Sequence, residues 1–152
     1  YSGTVAAAME GLALGVPSIA VSFAGRHGAG SAADMDQHVE PLSALLTHLT
    51  SLPVFPADTL LNVNIPAVPA GDLRGVKLTR LGRRVFSDSI AKMKDPWGKP
   101  IYWIGGGSVT WTEGEGTDID AVRGGYVSVT PLHLDITHQA RLTDAAEWWT
   151  SP

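Results

Sequence analysis

The sequence predicts an α/β domain, with helices packed on a sheet that is at least partly parallel. Three observations predict it. An alanine-rich helical segment, a tight Gly-Val-Pro break and a short apolar strand follow one another between Thr4 and Phe23, which is half of a parallel α/β unit. Leu60 to Ile65 alternates apolar and polar residues, the two-residue period of a strand. Gly124 to Thr130 reads as a further strand, closed by Pro131.

The elements follow in order. Thr4 to Leu14 is a helix, with Val5, Ala8, Met9 and Leu12 on one face and alanine, the best helix former, at three successive positions. Gly11 permits close packing on a sheet, Gly15 sits where a left-handed C-cap belongs, and Pro17 forbids continuation. Ser18 to Phe23 is a buried strand, and Ala24 to Ser31 is a glycine-rich loop. Ala32 to Leu49 reads as a second helix with Val39, Leu42, Leu45, Leu46 and Leu49 on one face, kinked or divided at Pro41. Pro53 and Pro56 end that region. In the strand Leu60 to Ile65, Leu61, Val63 and Ile65 share one face, and Asn62 and Asn64 the other. Pro66 and Pro69 mark an extended linker.

From Gly75 the character changes. Short alternating runs (76–80, 84–87 and 101–104) and the turn Asp95-Pro96-Trp97-Gly98 point to antiparallel hairpins, an arm of the kind that serves assembly. Leu142 to Trp149 is expected as a last short helix. The chain therefore divides at about 1–70 for the α/β core, 75–110 for the arm and 111–152 for the C-terminal strand and helix.

Composition narrows the classes. The 152 residues are 44% hydrophobic and 17% charged, which suits one globular domain. The net charge of -4 argues against a nucleic-acid polymer as partner, which needs a basic face. There is no cysteine, so a disulfide scaffold, a thiolate zinc site and a cysteine nucleophile are excluded. No apolar run approaches the roughly 20 residues that cross a bilayer, and no membrane partner is expected. A cytoplasmic location fits this composition. The sequence opens Tyr1-Ser2-Gly3-Thr4, so close to a helix start that further sequence upstream is expected. A trimmed chain lacking only a few residues is the alternative.

Candidate chemistry begins at Ser2, Gly3 and Thr4. The first N–H groups of a helix have no intrahelical partner and carry the positive end of its dipole. Gly3 lets an anion approach, and Ser2 and Thr4 add hydroxyls, so the segment can cradle a phosphate. An ordinary N-cap explains the same residues and is the commoner role on local chemistry alone. Asn62 and Asn64 either meet a ligand or line an edge or polar interface. His133, Asp135 and His138 mix metal-ligand types, but their spacing matches no standard site. The glycine-rich segments Gly105 to Gly107 and Gly114 to Asp118 are neither a P-loop nor a dinucleotide fingerprint, and no Gly-x-Ser-x-Gly elbow exists. Trp103, Trp111, Trp148 and Trp149 are expected in core or interface.

The run Tyr1 to Gly11 (YSGTVAAAMEG) resembles the SurE (survival protein E) family of metal-dependent 5′/3′-nucleotidases. The resemblance continues through Gly15 to Ser22. It returns at Leu61 to Pro66, Tyr102 to Gly105, Gly116-Thr117-Asp118 and Gly124 to Leu132. It implies a Rossmann-like three-layer domain and hydrolysis of phosphate monoesters of nucleoside monophosphates, as in acid-phosphatase-like phosphomonoesterases, with water activated by a divalent cation such as Mg²⁺ or Mn²⁺. It also implies a homodimer or homotetramer joined through extended hairpins and an exchanged C-terminal segment.

The departures matter as much. The family's metal ligands, an Asp-Asp pair with a later Ser and Asn, precede the Tyr-Ser-Gly-Thr motif, so no metal ligand is expected among these residues. The chain is expected to be the C-terminal portion of such an enzyme, with its N-terminal strands missing, and inactive alone. Its retained part of the pocket is Ser2, Gly3 and Thr4, holding phosphate oxygens. His138 stands one residue out of register with a family histidine and is carried as the general acid for the leaving ribose oxygen. The rival reading is a truncated, non-catalytic relative that serves as an oligomerisation or nucleotide-binding module.

Overall fold

The structure, a computed structural model, describes residues 2–25, 35–51, 57–86, 90–104, 109–112, 114–142 and 144–145. Helix α1 (Gly3–Ala13) lies one residue earlier than the sequence places it. Ser2 is its N-cap, with extended backbone and Oγ accepting from the Val5 N–H at 3.4 Å. Its C-terminus closes with paired bonds: Val16 N–H donates to the Gly11 carbonyl and Gly15 N–H to that of Leu12, each at 2.9 Å. This closure turns on a left-handed residue, which Gly15 supplies at φ 77°.

Strand β1 (Ser18–Phe23) has the expected bounds. A Cβ on Gly11 would strike Ser18 Oγ, so glycine there lets the chain fold straight back on itself. Helix α1 runs antiparallel to β1, and its N-terminus lies at the end where β1 finishes.

Helix α2 (Val39–Thr50) is shorter than the expected 32–49 at its start. Residues 32–34 are outside the described ones, and 37–38 form a turn. The expected helix is divided, but ahead of Pro41: residues 35–36 are helical, 37–38 turn, and α2 begins at Val39. Pro41 sits in the first turn, where a missing N–H removes no intrahelical bond. Leu42, Leu45, Leu46 and Leu49 are half-buried as expected, whereas Val39 faces solvent.

Strand β2 (Leu60–Ile65) also keeps its expected bounds. It pairs in parallel with β1, Val21 opposite Val63, and antiparallel with β8 (Val127–Leu132), Asn62 opposite Thr130 and Asn64 opposite Ser128. It is therefore interior, and Asn62 and Asn64 line a polar layer rather than a sheet edge. Strand β3 (Val76–Leu78), which the sequence groups with the arm, joins this sheet parallel to β8. The order is β1-β2-β8-β3.

Helix α1 covers one face, Ala8 and Leu12 packing on Ala20 and Leu60. Leu45 and Leu49 of α2 cover the other, against Val63, Val127 and Val129. The result is a three-layer, Rossmann-like α/β arrangement with a mixed sheet.

The arm is a nested antiparallel pairing of β4 (Arg83–Phe86) with β7 (Val109–Thr112) and β5 (Ile90–Lys94) with β6 (Pro100–Ile104). Its tip is the expected turn: Asp95 Oδ1 accepts from the Trp97 and Lys99 N–H groups at 3.0 and 2.8 Å. Trp103 is 65% exposed on this arm rather than in a core. The side chains of Trp111, Trp148 and Trp149, and most of the expected helix Leu142 to Trp149, lie outside the described residues. A 3₁₀ turn, Gln139–Arg141, precedes that segment.

Candidate functional site

The two faces of the sheet differ in chemistry. Beneath α2 the inward residues are apolar. On the opposite face, beside the patch that α1 covers, they include Asn62, Thr79, Ser128 and Thr130, all buried, and half-buried Asn64. Buried polar atoms are costly unless paired. Here Asn64 Nδ2 donates to Ser128 Oγ at 3.3 Å, and the hydroxyls of Thr79 and Thr130 meet at 2.7 Å.

This polar layer leads to the carboxyl edge of β1 and β2, which end side by side because they are parallel. The Ala24 N–H donates to the Ile65 carbonyl there at 2.8 Å. A cleft of about 290 Å³ opens at that edge, lined by Ala24, Asn64, Asp118, Ile119, Val122 and Arg123. In open α/β sheets, ligands bind in such crevices outside the carboxyl ends of strands.

Helix α3 (Asp118–Arg123) forms one wall. Thr117 caps it, Oγ1 accepting from the Asp120 N–H at 3.2 Å and donating to the Gly114 carbonyl at 2.9 Å. Asp118 Oδ1 accepts from the Gly82 N–H at 2.7 Å and the Ile119 N–H at 2.9 Å. That carboxylate thus ties the base of the arm to the cleft wall.

The N-terminus of α1 lies at the same edge. Ser2, Gly3 and Thr4 are exposed. Among the described residues the Ser2 hydroxyl makes only the long 3.4 Å capping contact, and no acidic residue occupies the first turn. Among the described residues the N–H groups of Gly3 and Thr4 have no partner. A Cβ on Gly3 would meet nothing within 4 Å. The helix start is therefore capped, as the ordinary role requires, and still presents open donors and uncompensated positive potential.

His138 is placed differently. Because β8 runs antiparallel to β2, Leu132 lies beside Leu60, and the chain leaves the sheet at the edge opposite α1's N-terminus. Exposed His138 caps the turn Gln139–Arg141, and no hydrogen bond among the described residues joins it to Ser2, Gly3 or Thr4. Asp135 is held by local bonds, accepting from the Thr137 N–H at 2.8 Å and Gln139 Nε2 at 3.1 Å. Hydrogen bonding from Thr137 lowers its pKa below the ordinary carboxylate value, helped by Gln139 and by the charge of His133. No group of three or more His, Asp or Glu among the described residues could hold a metal ion, so these residues do not fit a divalent-cation site.

The family model described as survival protein SurE matches residues 1–88. The chain is 64% identical over all 152 residues to the 5′-nucleotidase SurE of Gemmatimonas aurantiaca, covering 60% of that protein. The chain belongs to the SurE family. It is 46% identical over 141 residues to the 5′-nucleotidase SurE of Legionella pneumophila, covering 91% of this chain and 53% of that one. The crystal structure of the SurE protein from Aquifex aeolicus superposes with a TM-score of 0.72 at 38% identity, covering 99% of this chain and 58% of that one. This SurE chain thus spans under two thirds of the length of these relatives.

Most of the motifs that carry the family resemblance converge in the fold. The helix-start segment, the asparagine strand and Gly116-Thr117-Asp118 all reach the carboxyl edge or the polar layer behind it. Sequence reading missed that Asn64 and Asp118 line one cleft. The available signal was the Thr-Asp cap opening a short helix, beside a strand with asparagines on one face.

Proposed function

We propose that residues 1–152 form the phosphate-holding wall of a 5′/3′-nucleotidase pocket, in a longer polypeptide that hydrolyses nucleoside monophosphates. The observation that carries this reading is the start of α1: open N–H groups on Gly3 and Thr4, hydroxyls on Ser2 and Thr4, and no acid in the first turn. These donors would hold the non-bridging oxygens of a phosphate, and the helix dipole would stabilise the charge that grows there during hydrolysis. A divalent cation, Mg²⁺ or Mn²⁺, would supply water activation. Its ligands belong to the part of the family's sequence that precedes Tyr1, and for that reason we expect these residues alone to be inactive. A cytoplasmic location is part of the same reading.

In the longer polypeptide, Ser2→Ala and Thr4→Ala should each lower kcat about tenfold, the scale of one hydrogen bond to a charged group. Unchanged kinetics in both variants would remove the phosphate role. Nucleoside monophosphate hydrolysis by residues 1–152 with Mn²⁺ would overturn the expectation of inactivity. His138 acts as general acid in this reading only if the exchanged C-terminal segment brings it to the site of another copy. Mixing a His138→Ala chain with a Thr4→Ala chain tests this: recovered activity supports the exchange, and its absence removes His138 from the mechanism.

The arm supports a homodimer or homotetramer. Ile90, Met93, Trp97, Tyr102 and Trp103 are all exposed on it, more apolar surface than a solitary hairpin usually leaves in water. Light scattering of a Trp103→Ser, Met93→Ser variant should report a smaller particle than the parent, and an unchanged mass would place assembly elsewhere.

A further inference from the structure

His38, which precedes α2, takes no part in the site described above. It is 3% exposed. Among the described residues neither ring nitrogen has a hydrogen-bond partner, although both are buried. Phe23 packs on it with ring centroids 5.3 Å apart and planes tilted by 48°, a contact that satisfies no polar atom. An unpaired buried polar group of this kind destabilises the fold. Removing it to an apolar residue would relieve that cost, so its presence points to a partner that arrives from outside.

The imidazole lines a cavity of about 160 Å³ with Leu42, Leu45, Ile65, Leu73 and Val127. The cavity lies under α2, on the face of the sheet opposite the Asn64 cleft. A dry leucine-lined cavity of about 150 Å³ is known to take benzene, so the space fits one six-membered ring. Among the described residues no charged side chain lines it, and burying an unpaired charge there would be prohibitive. A neutral imidazole offers one donor and one acceptor nitrogen. A hydroxyl matches either.

We propose that this cavity binds a small uncharged aromatic molecule bearing one hydroxyl, with the ring against Leu42, Leu45, Leu73 and Val127 and the hydroxyl on His38. Phenol is the probe, and toluene, which has the same number of heavy atoms, is the control. Calorimetry and methyl chemical shifts on the purified protein should show phenol binding about 3–10-fold tighter than toluene, the factor that one neutral hydrogen bond of roughly 0.5–1.5 kcal/mol gives. Shifts should centre on the methyls of Leu42, Leu45, Leu73 and Val127. His38→Phe should abolish the preference. Leu73→Phe keeps the imidazole, fills the cavity and should abolish binding of both, which preserves the test if the His38 variant does not fold. Equal affinity for the two probes, shifts centred elsewhere, or no binding at millimolar phenol would overturn the proposal.

Discussion

Asp118→Ala removes a carboxylate oxygen that joins the base of the arm to the cleft. Asp118 Oδ1 receives the Gly82 N–H at 2.7 Å and the Ile119 N–H at 2.9 Å, and the side chain is partly buried. The two bonds are not equal in consequence. Ile119 lies in the first turn of α3, where water can replace the lost acceptor. Gly82 lies in the connection between β3 and β4, against α3, and its N–H has no other acceptor among the described residues. A hydrogen bond to a charged group contributes about 1.5–3 kcal/mol. Counting the Gly82 bond near that value and the Ile119 bond near zero gives a destabilisation of about 2 kcal/mol, a fall in Tm of roughly 4–8 °C for a chain of this size. Asp118→Asn keeps an oxygen acceptor without the charge and should lose only about 1 kcal/mol. Thermal and urea unfolding followed by circular dichroism measures both. An Asp118→Ala variant within 0.5 kcal/mol of the parent, or an Asn variant worse than Ala, would show that the carboxylate does not tie these elements together.

Three further outcomes are expected. Thr130→Val strands the Thr79 hydroxyl, its partner at 2.7 Å, and should destabilise by about 1–3 kcal/mol in urea unfolding; adding Thr79→Val should recover most of that loss, because replacing both partners is nearly neutral. Gly15→Ala places a Cβ at φ 77° and should destabilise by about 1–2 kcal/mol, with Gly15→Asn milder; equal stability of all three would remove the left-handed cap. Asp135 has a folded pKa depressed from 3.8 by the Thr137 hydrogen bonds, so any stability it adds is present above pH 3.8 and is lost as pH falls through the lower folded value. Carboxyl NMR should place its midpoint below 3.8, and Thr137→Val should move it upward.

Much of the core was legible because its signals are local. Apolar spacing at Val5, Ala8, Met9 and Leu12, the Gly15-Pro17 stop, and the alternation from Leu60 to Ile65 each specify an element from neighbouring residues alone. The errors arose where a position acquires its role from distant chain. Pro41 reads as a kink in a long helix, and only the turn at 37–38 makes it a first-turn residue. Val76 to Leu78 alternates like the hairpin strands, but its partner is β8, some fifty residues on. The helix-start segment was visible because backbone donors at an N-terminus follow from the chain itself. The Asn64–Asp118 cleft was not, because those residues meet only once β2 and α3 pack.

The chemistry of the sheet's two faces bears on why the proposed site collects at one edge. Residues of opposite parity on β2 and β8 give α2 an apolar floor and put a polar layer on the other face, beside the apolar patch of Ala20 and Leu60 under α1. A buried polar layer costs stability unless it is paired, and the pairs Asn64–Ser128 and Thr79–Thr130 supply that pairing. The pairing fixes the polar side chains in one geometry by directional bonds. Where β1 and β2 end, that ordered layer runs out beside the cleft, and the open N–H groups of α1 stand at the same edge. We propose that this polar layer positions the edge. If so, Ser128→Ala, far less exposed than Ser2 or Thr4, should raise KM for a nucleoside monophosphate in the longer polypeptide while changing Tm by only a few degrees; a Tm loss with unaltered kinetics would reduce the layer to packing.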